Sequence, residues 1–261
     1  MSRKNISKLF FKDYFEEKNG FNFNHVISGS DPDANTQREV KNRNRTIKGV
    51  ELIPIPSLSL IEDKRFPMKI AYPGLVTGTG LVHDSKKLEG AYNLGMHFDY
   101  TWGMPIVYGS SVKGVLHEYF KEFYNGDIDK DDLFEDIFNG KVRNKEKDKI
   151  NDRGELIRGY NNKSIYHRDV FFDAVITNTY HGHLLEDDSI TPHTKGPLKD
   201  PEPITMLKIA PGCTLEFRFR LVDSHINGKV YTKTEKLELF KTILETVGIG
   251  AKTNVGYGQF E

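Results

Sequence analysis

Two segments of the chain, residues 110–124 and 236–247, have apolar side chains at three- and four-residue steps, which is the period of an amphipathic helix. Short apolar runs typical of strands precede, separate and follow them. The predicted strands are residues 68–76, 170–175, 204–209, 214–222 and 256–260. Pro211 and Gly212, a turn dipeptide, join two of these runs and predict a β-hairpin. The order strand, helix, strand or hairpin, helix, strand predicts an α+β fold, a modified ferredoxin-like βαββαβ domain widened by insertions.

Residues 67–261 form the predicted main domain, with a charged insertion that contains a small helix at about residues 125–165. Residues 1–66 are expected to pack on it as an N-terminal helix, over residues 4–18, followed by a mobile basic arm or loop. The basic part of the arm contains a single acidic residue, Glu39. Its cations are Arg38, Lys41, Arg43, Arg45 and Lys48. We interpret this run as solvated surface, with contact to phosphates as the alternative.

The composition excludes several classes of protein but does not identify a binding partner. The 37 Lys and Arg residues equal the 37 Asp and Glu residues, so the formal net charge of zero predicts no partner by itself. The longest apolar runs fall far short of the ~18 residues of a membrane span, and the first residues lead into charged sequence. Cys213 is the sole cysteine, which excludes an intramolecular disulfide and a multi-Cys zinc site. We therefore expect a cytoplasmic protein with no membrane partner.

A glycine-rich segment, residues 248–258 with the sequence GIGAKTNVGYG, is the sharpest candidate for a binding site. Glycines allow backbone N–H groups to approach a ligand closely, and Lys252 adds positive charge, so the pattern predicts an anion site, most simply for phosphate. A tight turn packed under the sheet is the alternative. A dinucleotide-binding fingerprint is excluded because it follows a strand and opens a helix, whereas this segment follows a helix.

The start of the first predicted helix is a second candidate phosphate site. Ser110, Ser111 and Lys113 lie in its first turn, where free N–H groups and the positive end of the helix dipole favour an anion. The alternative is an ordinary cap made by Ser110 or Ser111. The P-loop pattern of nucleotide-binding proteins is not matched.

Two further groups of polar residues allow catalytic interpretations. His83, Asp84, His97 and Asp99 lie in the long loop of residues 81–109 and form a candidate acid/base or RNA-cleaving set. A candidate divalent-metal cluster consists of His181, His183, Asp187, Asp188 and His193. Solvated loop residues are the alternative for the metal cluster. Neither a Gly-x-Ser-x-Gly elbow nor a His-Glu-x-x-His motif is present in the sequence.

The two candidate phosphate segments together resemble the RAMP superfamily of CRISPR-associated RNA-binding proteins. In that family a Gly-Ser-Ser-x-Lys-Gly helix start follows a Pro-Tyr-Ile-Pro-like stretch, and a Gly-x-Gly-Ala-Lys-Thr-x-x-Gly-Tyr-Gly loop lies near the C-terminus. Here the corresponding sequences are PIVYGSSVKG at residues 105–114 and the glycine-rich segment. Tyr108 stands where the family usually has Pro. The sequences VFFDA, DSITPH and PEPI, at residues 170–174, 188–193 and 201–204, resemble more narrowly the family of the sixth subunit of Cmr, the type III-B effector complex.

The resemblance covers residues 68–261 and implies an RRM-type, ferredoxin-like domain that holds the backbone of guide RNA towards its 3′ end. The partners it implies are guide (CRISPR) RNA, target RNA and other Cmr subunits, including the backbone nuclease subunit and a capping subunit. An RNP1 aromatic motif is absent from the sequence, which argues against base stacking on the sheet. Phosphate contacts without base reading would suit a protein that accepts any guide.

We therefore expect a non-catalytic RNA-binding subunit that requires no cofactor and no metal. The expected RNA contacts are Ser110, Ser111, Lys113, Gly248, Gly250, Lys252, Thr253, Gly256, Tyr257 and Gly258. The rival hypotheses are a RAMP endoribonuclease that uses Asp84 or Asp99, and a metal-dependent phosphodiesterase that uses the cluster from His181 to His193.

Overall fold

An antiparallel sheet built from strands that are far apart in sequence lies at the centre of the fold. The computed structural model describes residues 4–24, 31–55, 61–80, 83, 88–191 and 203–261. The strands are β1 (Lys64–Lys69), β2 (Ile106–Val107), β3 (Lys141–Arg143), β4 (Lys149–Ile150), β5 (Leu156–Ile157), β6 (Tyr160–Asn162), β7 (Val170–Phe171), β8 (Ala174–Asn178), β9 (Leu185–Ile190), β10 (Ile204–Ile209), β11 (Thr214–Arg220), β12 (Ser224–Ile226) and β13 (Lys229–Tyr231). The helices are α1 (Ile6–Phe11), α2 (Ala34–Lys48), α3 (Gly109–Phe123), α4 (Lys130–Asn139) and α5 (Lys233–Val247).

The central sheet has the order β1-β11-β8-β2, and β7 also pairs with β11. Each of these pairs is antiparallel. Smaller two-stranded sheets join β9 to β10, β12 to β13, β3 to β6 and β4 to β5. The predicted α+β class is therefore confirmed, and the sheets are antiparallel throughout the described residues.

The predicted hairpin of residues 204–209 and 214–222 is wrong. The turn at Gly212 exists, with a φ of 80°, but β10 pairs with β9 while β11 pairs with β1 and β8. The backbone N–H of Gly212 donates to the carbonyl of Ile70 instead of closing a ladder between the two strands. A dipeptide signals a change of direction, but the partner of each strand is set by contacts that are distant in sequence.

Helices α3 and α5 pack against each other over the sheet. Phe240 of α5 lies 5.6 Å from Phe219 of β11, measured between ring centroids, and both side chains are fully buried. Helix α5 begins at a capping box in which Thr232 and Glu235 bond each other's backbone N–H groups. Because of this cap the helix starts at Lys233, three residues earlier than residue 236, the start that the apolar period predicted.

The prediction of a mobile basic arm or loop up to residue 48 is wrong, because this part of the chain contains a helix, α2. Asp33 caps α2 by accepting a hydrogen bond from the N–H of Thr36, at 2.7 Å. Two of the four buried residues of the helix, Thr36 and Glu39, are polar, so its apolar side chains form too sparse a pattern for hydrophobic periodicity to show. Arg43, for example, donates to the carbonyls of Tyr14 and Glu16, each at 2.6 Å. The N-terminal residues and the main domain share one hydrophobic core.

Several other expectations are met in part. The N-terminal helix is present as α1 followed by a 3-10 turn at Asp13–Phe15, and the insertion contains the expected helix, α4. The predicted strand 68–76 is observed earlier, as β1, and the predicted strand 170–175 is divided between β7 and β8. The predicted final strand is reduced to a single bridge between Ile70 and Phe260. Within the described segments, every helix is too short or too polar to span a bilayer.

Candidate nucleic-acid interface

Three segments that are distant in sequence border one groove of about 310 Å³. The first is the turn of residues 77–80, which follows β1. The second is the start of α3, through Ser111 and Val115, and the third is residues 249–251 of the glycine-rich segment. His97 and Val107 complete the lining. The structure thus brings the two candidate phosphate segments to the same groove.

The glycine-rich segment is held in place by a short ladder to the chain that follows β1. The N–H of Ala251 donates to the carbonyl of Val76 and the N–H of Gly258 donates to the carbonyl of Gly74, both at 2.8 Å. The N–H of Ile249 closes the segment on itself by donating to the carbonyl of Gly258 at 2.9 Å. These bonds fix the position of the segment relative to the groove.

Most glycines of the segment are required by backbone packing, and not by a ligand. A Cβ on Gly258 would lie 1.8 Å from the carbonyl oxygen of Ile249, and a Cβ on Gly250 would lie 2.5 Å from that of Val76. A Cβ on Gly248 would lie 2.5 Å from the carbonyl oxygen of Gly258. All three also have positive φ angles, which L-residues rarely adopt. These three glycines therefore meet a packing requirement of the turn itself, and the segment also borders a groove.

The backbone of the segment nevertheless offers hydrogen-bond donors. Within the described residues, no acceptor is bonded to the N–H groups of Gly250, Lys252, Thr253 and Asn254. Lys252 has a φ of 62°, and a 3-10 turn at Thr253–Val255 follows it. Successive free N–H groups after a left-handed residue form a concave donor array that suits an anion.

The start of α3 is capped differently from the prediction. The cap residue is Tyr108, without a side-chain hydrogen bond, and Ser110 and Ser111 lie inside the helix. The N–H of Gly109 donates to the carboxylate of Asp173 at 2.7 Å, so an internal anion already occupies this position. The expected cap by Ser110 or Ser111 is therefore wrong. Ser110 is exposed, and the half-buried Ser111 lines the groove.

The two expected lysine contacts, Lys113 and Lys252, are half-buried and lie outside the lining of the groove. Neither ammonium forms an ion pair with a side chain in the described part of the protein. Lys252 directly follows Ala251, which lines the groove. Lys113 lies two residues from both Ser111 and Val115, so it projects from a different side of the helix.

Tyr257, which is one of the expected RNA contacts, is buried beneath the glycine-rich segment. Its hydroxyl donates to Asp188 Oδ2 at 2.8 Å, and Lys208 Nζ donates to the same oxygen at 2.8 Å. Burial raises the pKa of Tyr257 to about 12, and the hydrogen bond and negative charge of Asp188 act in the same direction. The side chain attaches the segment to β9.

His97 contributes an imidazole to the groove. Its ring lies 4.2 Å from that of Tyr108, measured between centroids, and its Nδ1 is buried with no hydrogen-bond partner in the described structure. Burial lowers its pKa, while the charge of Asp173 opposes that shift. The ring is therefore neutral at pH 7 and can act there as a hydrogen-bonding group.

The described members of the candidate acid/base set do not meet at an exposed centre. His83 is buried among aromatic rings and stacks within 4.4 Å of Phe10, so burial lowers its pKa to about 4. Asp99 Oδ1 accepts hydrogen bonds from the N–H groups of Thr101 and Trp102, at 2.8 and 2.5 Å, and so stabilises a turn. Asp84 lies outside the described residues.

The candidate metal cluster is also dispersed. Asp187 and Asp188 are adjacent on β9; Asp187 accepts from the ammonium of Lys48 and the hydroxyl of Tyr92, whereas Asp188 binds the partners described above. His181 and His183 are exposed in the turn before β9, and His193 lies outside the described residues. No group of three potential ligands is close enough to hold a metal among the residues that are described.

Sequence reasoning missed two contributors to the site. Thr77 and Thr79 alternate with glycines directly after a predicted strand, and this small, polar run could have marked a groove wall. The hydrogen bond of Asp173 to the start of α3 could not have been predicted, because the sequence does not show which strand lies beside that helix.

Comparisons with known proteins give the family and the fold of this chain. The sequence profile of the RAMP superfamily matches residues 68–261. A chain in the cryo-EM structure of the Type III-B Cmr-beta bound to cognate target RNA has the same fold, with a TM-score of 0.50 and 20% identity. The alignment covers 98% of this chain and 84% of that chain.

The crystal structure of Cmr6 from Pyrococcus furiosus aligns with a TM-score of 0.36 and 21% identity, covering 76% of this chain and 96% of that one. A comparison with curated proteins finds no match.

Proposed function

Because this chain belongs to the RAMP superfamily, we propose that it is a non-catalytic RNA-binding subunit of a type III-B CRISPR (Cmr) effector ribonucleoprotein. In that role it would hold the backbone of guide RNA towards its 3′ end, with target RNA and other Cmr subunits as neighbours, in antiviral defence. The fold shared with a chain of the RNA-bound Cmr-beta complex supports the proposal, as do the motifs at residues 105–114 and 248–258.

The groove is the single observation that carries the RNA-binding role. It is lined by Ser111 and by Gly250, whose N–H group has no acceptor among the described residues. The free N–H groups of residues 252–254 follow the last lining residue, Ala251, in the chain. Lys252 follows the lining residue Ala251, and neither Lys252 nor Lys113 has an ion-pair partner among the described residues. Donors of this kind bind phosphate oxygens and carry no sequence information.

We further propose that the core is a ferredoxin-like βαββαβ unit. In such a unit the last strand lies beside the first, and the third lies between the first and the second. The antiparallel order of β1, β11 and β8 supports this proposal, together with the bridge from Ile70 to Phe260 beside β1. Helices α3 and α5 occupy the expected places in the chain order.

Binding of the full chain to two unrelated single-stranded RNAs of equal length tests the function. We expect weak binding with less than about a tenfold difference between the two sequences, because phosphates are contacted and bases are not read. Each neutralised phosphate should contribute about −0.7 to the slope of log K against log salt. Binding of one sequence only, or no salt dependence, would contradict the proposal.

A further inference from the structure

The outward face of α2 carries three cations that no acidic side chain neutralises among the residues that the structure describes. Arg38, Lys41 and Arg45 are exposed and follow one another at intervals of three and four residues, which places them on one side of the helix. Thr36, Val40 and Ile47 are buried on the opposite side. None of the three cations forms an ion pair within residues 4–24, 31–55, 61–80, 83, 88–191 and 203–261.

The other two cations of the helix are used inside the fold. Arg43 donates to backbone carbonyls before α2 and lies 4.2 Å from the centre of the Phe21 ring. Lys48 donates to Asp187 on β9. The buried Glu39 lies 3.9 Å from Arg43, so the acidic residue of the helix is directed towards the internal cation. The outward cations are therefore an unbalanced group in a chain whose formal net charge is zero.

The chemistry of this face fits a polyanion better than it fits a protein surface. The exposed residues between the cations are polar, namely Asn42 and Thr46, and the face has no exposed apolar side chain. The core of a protein interface is apolar and depleted of Lys. Arg, Lys, Asn and Thr side chains are instead typical contacts to phosphates. From Arg38 to Arg45 the helix rises about 10 Å, which gives the cations a linear arrangement.

We propose that the outward face of α2 is a second RNA-contacting surface, which binds the phosphate backbone of single-stranded RNA separately from the groove. The proposal rests on the proposed function only in taking RNA as the polyanion. Helix α2 lies before residues 68–261, which are the part of the chain matched by the RAMP superfamily.

The test compares full-length triple variants in binding to one single-stranded RNA over a range of salt concentrations. The variant R38Q/K41Q/R45Q removes the three cations and keeps good helix formers. The control, K145Q/K147Q/K149Q, removes three exposed cations from the insertion and changes the net charge equally. We expect the α2 variant to bind about tenfold or more weakly, with the salt slope reduced by about 2, and the control to be unchanged. Thermal unfolding of each variant shows whether α2 remains folded.

The outcomes separate this inference from the proposed function. If the α2 variant binds RNA as the wild type does while K252Q binds more weakly, the proposal of a second RNA-contacting surface is wrong and the proposed function stands. Equal losses in both triple variants would also overturn the inference, because net charge alone would explain them. If the wild type binds no RNA, both proposals are wrong. Loss of binding to a partner subunit with RNA binding intact would assign the face to an acidic protein instead.

Discussion

The hydroxyl of Tyr257 donates to the same carboxylate oxygen of Asp188 that accepts from Lys208, with both distances 2.8 Å. This contact attaches the glycine-rich segment to β9, and the ladder to residues 74–76 attaches it to the chain after β1. The free N–H groups at residues 252–254 are therefore held on a rigid support. A preorganised donor array loses little conformational entropy when it binds a phosphate.

Tyr257→Phe should destabilise the protein without changing the groove. The variant removes a hydrogen bond to a charged acceptor, which lowers the free energy of unfolding by about 1.5–3 kcal/mol. Denaturant titration measures the loss, and Tyr72→Phe, at a tyrosine that is 84% exposed, is the control. Loss of RNA affinity at unchanged stability would instead show that Tyr257 contacts RNA.

His83 should make stability depend on pH between its unfolded and folded pKa values. Burial lowers the pKa of the folded protein's imidazole to about 4, so between pH 6.5 and 4 the unfolded state binds more protons than the folded state. Stability therefore falls as the pH falls through this window. His83→Phe, which keeps a ring beside Phe10, should flatten the dependence in unfolding experiments at pH 7 and pH 5. An unchanged dependence would show that His83 titrates normally.

Gly250 and Gly114 should respond oppositely to alanine. A Cβ on Gly250 would lie 2.5 Å from the carbonyl oxygen of Val76, so Gly250→Ala should lower the free energy of unfolding by roughly 1–3 kcal/mol. Gly114 lies in α3 with no atom within 4 Å of the added Cβ. Gly114→Ala should therefore stabilise the protein by about 0.5–1 kcal/mol. A Gly250→Ala variant as stable as the wild type would contradict the described packing.

Asp99→Ala tests the endoribonuclease hypothesis. Burial opposes the negative charge of Asp99, but hydrogen bonds from Trp102 and Thr101 outweigh it and hold its pKa below the usual value. The variant should lose about 1–3 kcal/mol of stability, because the donors of the turn lose their acceptor. We expect RNA cleavage by a reconstituted complex to keep every cut. Loss of one specific cut in a folded variant would contradict the non-catalytic role.

Apolar periodicity predicted α3 and α5 because each helix buries a continuous hydrophobic stripe. The same signal failed for α2, whose buried side includes Thr36 and Glu39 and is stabilised by polar contacts. It also failed to give the partners of β10 and β11, because strand pairing depends on contacts that are distant in sequence.

The candidate site was predictable only in its two motif segments. Ser111 and Gly250 were singled out from sequence and do border one groove. The buried position of Tyr257 was not predictable, because its acceptor Asp188 lies in a strand that the sequence does not place beneath the segment. His97 was singled out only as an acid/base candidate, and its position in the groove was not predicted because it lies in a loop without periodicity.

The most direct test of the account is the RNA affinity of Lys252→Gln relative to Lys149→Gln. Both positions lose one cation, but Lys252 lies beside the free N–H groups of the glycine-rich segment and Lys149 lies in the insertion. Fluorescence anisotropy with a labelled single-stranded RNA should show about fivefold weaker binding for Lys252→Gln, or about 1 kcal/mol, and wild-type binding for the control. The unfolding free energy of both should stay within about 0.5 kcal/mol of the wild type. Equal RNA affinities of the two variants would contradict the account.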